Sequence, residues 1–81
     1  MIRKLVATAD VEIDGRTYAM RYYEHRTVRG GRRYSCEVHL APGDRVIVDD
    51  DSMMSLESKV LRLAPATVYS RLLASRGSVA A

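Results

Sequence analysis

The stretch VEIDGRTYAM, residues 11–20, decides the fold, because it sets the clearest turn signal of the chain between two alternating segments. An Asp-Gly pair is the strongest short signal for a β-hairpin, since a type I′ turn needs positive φ at both central residues. Apolar and polar residues alternate on both sides of Asp14-Gly15, with the period of half-buried strands. A two-residue loop also fixes the register, so that Val11 should face Tyr18.

The first hairpin is therefore predicted to join strands over residues 3–13 and 17–28. On its core side, small residues of the first strand face large residues of the second, and polar residues dominate the outer side. The expected pairs are Ala9–Met20 and Ala7–Tyr22 on the core side, and Thr8–Arg21, Val6–Tyr23 and Lys4–His25 on the outer side.

A second hairpin is predicted across TVRGGRRY, residues 27–34. The third strand, over about residues 33–40, has its apolar positions at even numbers, as the second strand does. For both sets to share one face, the loop must contain an odd number of residues, and we place it around Arg29-Gly30-Gly31 with a glycine at the bulge. The following Ala41–Asp44 segment is typical of a type II turn and leads into a short fourth strand over about residues 45–49.

Helical periodicity follows the strands. The segment from Asp49 to Ser52 offers an N-cap and negative charge, both favourable at a helix start. One helix is predicted over about residues 52–63, and Pro65 should end or kink it and begin a second helix over about 65–75. Residues 76–81 should form a frayed tail. The predicted fold is a single α+β domain over residues 1–81: a three- or four-stranded antiparallel β-meander followed by a C-terminal helix or kinked helix pair packed on one face.

Composition restricts the class of protein. A domain of 81 residues has room for only a small core. No segment approaches the roughly 18 consecutive apolar residues of a membrane helix, and the single cysteine, Cys36, suits a reducing compartment. We interpret the chain as a small cytoplasmic, bacterial protein that does not bind membranes.

The strand geometry assembles no catalytic or metal-binding set. Cys36 should point into the core, whereas His25 and His39 point outward, so no thiolate–imidazole pair forms. Three consecutive aspartates at 49–51 alternate in direction and lack the spacing of a Ca²⁺ loop. We therefore expect no enzymatic activity, no cofactor and no metal.

Positive charge is concentrated around the second hairpin. Residues 16–33 contain six arginines and one acid, whereas residues 44–57 contain five acids and one base. Guanidinium groups match phosphates in geometry, and an exposed sheet with basic and aromatic groups suits nucleic-acid binding. The simpler interpretation is a charged, solvated turn in a protein from a GC-rich genome.

Two functional hypotheses follow. The first is a nucleic-acid-binding module, for RNA or DNA, in which an Arg-rich hairpin and a basic outer sheet face contact the ligand. Its candidate site residues are Arg21, Tyr23, His25, Arg26, Arg29, Arg32 and Arg33, with Tyr23 and His25 as stacking groups. The alternative is a protein–protein interaction or homo-oligomeric module, for instance a homodimer. It would act through an edge strand or through a helix stripe of Val68, Leu72 and Leu73.

Overall fold

The strands form one antiparallel sheet, and a single helix follows them. In the computed structural model, the backbone is described for residues 3–80 and the side chains for residues 3–74. The elements are β1 (Arg3–Ile13), β2 (Arg16–Arg26), β3 (Arg32–Ala41), β4 (Asp44–Asp50) and α1 (Met53–Ala80). Strand order in the sheet is β1-β2-β3-β4, with each neighbouring pair antiparallel. The predicted α+β meander with a C-terminal helix is confirmed.

The three connections have the turn chemistry that the sequence predicts. Asp14 and Gly15 both have positive φ, at 52° and 79°, as a type I′ turn requires. Residues 27–31, an odd number, join β2 to β3, and Gly30 there has a φ of 82°. Gly43 has a φ of 79° at the third position of the turn before β4. These turns keep the even-numbered residues of β2, β3 and β4 on one face.

The core lies between that face and one stripe of α1. The stripe repeats every four residues, as expected for one side of a helix. The buried core residues are Ile13, Met20, Tyr22, Cys36, Val38 and Val48 from the sheet and Leu56, Val60, Ala64 and Val68 from α1. Cys36 is fully buried, as predicted, and burial raises the pKa of its thiol to about 11.

α1 is one continuous helix, so the prediction of two helices divided at Pro65 is wrong. Pro65 has no N–H to donate within the helix, which costs about 3 kcal/mol in a helix interior. Ala64 and Val68, on either side of it, are both buried in the same stripe. Beyond them, Arg71 binds the carboxylate of Asp44 through Nε at 3.0 Å and Nη2 at 3.1 Å. These tertiary contacts stabilise the helix on both sides of Pro65 and so keep it continuous.

The predicted frayed tail falls at the end of this helix. The backbone of residues 76–80 is helical as part of α1. Ala81 lies outside the described residues, as do the side chains from residue 75 onward. Within the described residues, α1 contains no stretch long and apolar enough to cross a membrane.

β1 departs from the predicted register at Val6. From Ile13 back to Ala7, the pairing with β2 is as predicted. A β-bulge at Val6 then shifts the pairing of residues 3–5 by one residue. The pairs beyond the bulge are Leu5–Tyr23, Lys4–Glu24 and Arg3–His25, so the predicted Val6–Tyr23 and Lys4–His25 pairs are wrong. Because side chains alternate between the faces of a strand, the bulge moves Arg3 and Leu5 from the core side to the outer side.

The helix covers only part of the sheet. α1 packs on β3 and β4, and residues 3–10 of the edge strand β1 are all exposed. Ala7 and Ala9, expected in the core, therefore lie on an open part of the helix-facing side. α1 contacts mainly β3 and β4, so this part of β1 is left uncovered.

Candidate nucleic-acid interface

The outer face of the sheet, opposite α1, is where most of the predicted site residues meet. Its positions follow from the register of the four strands. Across the middle of the sheet lie Arg21, Glu37 and Ile47, and the neighbouring row contains Leu5, Tyr23, Ser35 and Asp49. Toward the β2–β3 loop come Arg3, His25 and Arg33, and at the opposite end lie His39 and Arg45. His25 therefore faces Arg33 across the two strands.

Glu37 lies at the centre of this face and is only 2% exposed. Arg3 Nη1 donates a hydrogen bond to Glu37 Oε2 at 2.6 Å, and Arg45 Nη1 lies 3.7 Å from Oε1. His39 Nε2 is 3.4 Å from the same Oε1, close enough to interact but outside hydrogen-bond geometry. The hydrogen bond from Arg3, more than the charge of Arg45, holds the pKa of Glu37 below its usual value. Two guanidiniums thus compensate the one acid at the centre of the face.

Arg3 also covers the aromatic ring that the sequence offers for stacking. Its guanidinium carbon lies 4.0 Å from the centroid of the Tyr23 ring, a cation–π contact. Tyr23 is 9% exposed, so its ring is packed into the outer face. The second stacking candidate, His25, is half-buried, and its Nε2 is hydrogen-bonded to Ser35 Oγ at 2.7 Å.

The four arginines near the hairpin tip divide into two kinds. Arg26 and Arg29 are exposed, and neither has an acidic partner among the side chains of residues 3–74. Arg33 Nη2 contacts Asp49 Oδ2 at 3.1 Å, and Arg32 Nε lies 3.9 Å from Glu24 Oε1. Arg21, on the outer face, is exposed and likewise lacks an acidic partner within that part of the chain. The structure therefore leaves three of the predicted arginines free for a ligand.

The loop of the second hairpin is ordered by its own hydrogen bonds. Thr27 N donates to the carbonyl of Gly31 at 2.9 Å, and Gly30 N donates to the carbonyl of Thr27 at 3.0 Å. Gly31 N also donates to the Thr27 hydroxyl at 3.0 Å. The glycines therefore have a structural role, and the loop presents Val28 and Arg29 to solvent.

A groove lies between this loop and the outer face. Its volume is about 460 Å³. The lining residues are Arg3, His25, Arg26, Thr27, Val28, Arg33, Tyr34, Ser35, Ile47 and Asp49. Val28 is 97% exposed and Ile47 is 57% exposed, so the groove has two apolar walls that nothing in the described part of the chain covers. Among the described residues, no group of three or more His, Cys, Asp or Glu side chains is placed to hold a metal ion.

Arg3 and the two walls of the groove are the site residues that the sequence does not reveal. Arg3 reaches the outer face only through the bulge at Val6, and no turn residue marks that bulge. The apolar residue Ile47 on the outer face of β4 is the one available signal, since alternation alone places it opposite the core. No protein-family model, curated protein or solved structure matches this chain.

Proposed function

We propose that this protein binds nucleic acid by contacting the sugar–phosphate backbone with the arginines of the β2–β3 hairpin. The exposed guanidiniums of Arg26 and Arg29, without acidic partners in the described part of the chain, are the observation that carries this proposal. Guanidinium groups bind phosphate oxygens through paired, charge-assisted hydrogen bonds. Each phosphate neutralised releases counterions, which gives affinity without sequence preference.

The ion-paired arginines extend the same surface. In the Arg33–Asp49 pair the side chains are 47% and 66% exposed, and in the Arg32–Glu24 pair the nitrogen and oxygen lie 3.9 Å apart. Exposed pairs of this kind contribute at most about 1 kcal/mol, because water screens them. A phosphate can therefore replace the carboxylate at little cost.

The outer face offers a path for the backbone away from the tip. Arg21 is exposed beside Glu37, whose charge is already compensated by Arg3 and Arg45. A phosphate near Arg21 and Glu37 therefore meets guanidinium groups instead of an unpaired carboxylate. Tyr23 supports this path by holding Arg3 in place, since its ring is covered.

The test is a binding titration by fluorescence anisotropy at several salt concentrations. The charge-reversed double variant Arg26→Glu/Arg29→Glu should bind at least tenfold more weakly. The slope of log K against the logarithm of the salt concentration should be smaller in magnitude by about 1.4 to 1.8, the contribution of two lost phosphate contacts. Arg62→Glu, which makes half of that change in net charge, is the control for a general effect of charge on affinity, because Arg62 is an exposed arginine on α1. An unchanged affinity and salt slope in the double variant would rule out the proposal.

A second candidate function is self-association through β1. This strand is an uncovered edge, and residues 3–10 are all exposed. Such edges readily add a further strand. β1 begins with Arg3 and Lys4 and ends near Asp10 and Glu12, so two copies paired antiparallel about Ala7 would place each basic end beside the acidic end of its partner.

The helix stripe of Val68, Leu72 and Leu73 offers fewer exposed residues for self-association than β1 does. Val68 lies in the core, whereas Leu72 and Leu73 are exposed. Sedimentation equilibrium at two concentrations tests the candidate through β1. Asp10→Lys should weaken a dimer, because it removes negative charge from the end of β1 that lies beside the basic end of the partner strand. A monomer at both concentrations would exclude self-association.

A further inference from the structure

We infer that the groove beneath the β2–β3 loop binds an unstacked nucleobase, which makes single-stranded nucleic acid the ligand. This inference rests on the function proposed above and adds to it the class of nucleic acid. The groove is continuous with the hairpin tip, since Arg26 belongs both to its lining and to the free arginines. A strand held by the tip would therefore pass directly over its opening.

The walls of the groove suit a flat, apolar surface. Val28 from the loop and Ile47 from β4 both line the groove and are largely exposed. Large apolar side chains beside a concave site are typical of ligand contacts. Pockets for extruded bases commonly hold the ring between apolar or aromatic side chains. A base inserted here would cover both residues at once.

The polar groups of the groove suit a base better than a phosphate. His25 and Ser35 form a hydrogen-bonded pair at 2.7 Å, and the imidazole and hydroxyl together offer both donor and acceptor capacity. Asp49 adds a carboxylate that accepts hydrogen bonds. It pairs with Arg33 Nη2 at 3.1 Å in the structure, and when a flanking phosphate takes its place at Arg33, the carboxylate can accept hydrogen bonds from the N–H groups on the edge of a base.

Cationic groups lie where the flanking phosphates would be. Arg26, which has no acidic partner among the described side chains, and Arg33, whose ion pair with Asp49 is exposed, both line the groove. A nucleotide whose base enters the groove keeps its phosphates outside, within reach of these long side chains. The arrangement also explains how a base is held although the Tyr23 ring is covered by Arg3.

Base insertion favours single strands on energetic grounds. A base in a duplex must be unpaired and unstacked before it can enter a pocket, whereas a base in a single strand is already accessible. We therefore expect a labelled single-stranded oligonucleotide to bind more tightly than a duplex of the same sequence near physiological salt.

The test compares an intact single-stranded oligonucleotide with one of the same length that carries abasic sites. The groove variant Val28→Ser/Ile47→Thr should bind the intact strand about fivefold more weakly or worse, the loss expected for one base contact. It should bind the abasic strand as the wild type does. Leu61→Ser is the control, because Leu61 is an exposed apolar residue on α1, 65% accessible. Thermal melts of each variant check that it is folded.

The outcomes separate this inference from the proposed function. Equal affinity of the wild type for intact and abasic strands, or an unchanged groove variant, would overturn the nucleobase site. If Arg26→Glu/Arg29→Glu still weakened binding at least tenfold in that case, backbone recognition would stand alone. Tighter binding of duplex than of single strands would also overturn the inference. A wild-type protein that bound none of these probes would overturn both proposals.

Discussion

Replacing Glu37 by Gln tests whether the outer face is held together by charge. The substitution keeps the shape of the side chain and one acceptor for Arg3, but it removes the negative charge beneath Arg3 and Arg45. A hydrogen bond to a charged group contributes about 1.5 to 3 kcal/mol. Both guanidiniums are about half exposed and can turn to water, so the lower end of that range applies.

We therefore expect Glu37→Gln to lower the free energy of unfolding by about 1.5 kcal/mol. In a domain of this size that corresponds to a fall in Tm of roughly 6 to 12 °C. Urea denaturation and thermal melts followed by circular dichroism measure both quantities. Glu57→Gln is the matched control, because Glu57 is exposed on α1 and should change stability by less than about 0.5 kcal/mol.

The same variant predicts a pH dependence with a definite sign. The pKa of Glu37 is lowered in the folded protein, chiefly by the hydrogen bond from Arg3, from a usual value of 4.5. The charged carboxylate therefore stabilises the fold above that pH, and this contribution is lost as the pH falls through the folded-state pKa. The stability difference between wild type and Glu37→Gln should be constant near neutrality and shrink below about pH 4.5. A wild type no more stable than Glu37→Gln, or a difference that grew in acid, would refute the reasoning.

Three further predictions concern the helix, the core thiol and the hairpin loop. Pro65→Ala should stabilise the protein by about 1 to 3 kcal/mol, because alanine restores a helical hydrogen bond, and a loss of stability in denaturant titrations would show that the proline is required. Cys36 should react slowly with a thiol reagent at neutral pH and rapidly in denaturant, since its thiol is buried and its pKa is about 11; equal rates would contradict the fold. Gly30→Ala should destabilise by about 1 kcal/mol. The added Cβ would meet nothing within 4 Å, so only the φ of 82° opposes it, and an unchanged melting temperature would mean that the loop relaxes.

The parts of the fold that local chemistry determines were predictable from the sequence. Asp14-Gly15 and Pro42-Gly43 each specify a turn type, and alternation then assigns faces to the strands. The predicted division of the helix at Pro65 is wrong because it used local helix propensity alone. The burial of Ala64 and Val68 depends on the whole sheet. Tertiary packing outweighed the weak helical position.

The candidate site was predictable only in outline. The sequence places the arginines around the second hairpin, but it does not show that Arg33 meets Asp49 while Arg26 and Arg29 have no acidic partner among the described side chains. Such pairing depends on which strand lies beside which. The groove was not predictable either, because it requires the loop to lie beside Ile47, far away in sequence.

The bulge at Val6 has a consequence for how this chain can vary. The bulge adds one residue to β1 that has no partner in β2. If that residue were absent, Leu5 and Arg3 would still lie opposite Tyr23 and His25, as they do now. A related sequence that lacked this residue would align with a gap here and still bring its arginine over the same carboxylate. Variation in length at this point of β1 is therefore compatible with an unchanged outer face, and an alignment that forced the first residues into strict register would pair the wrong positions.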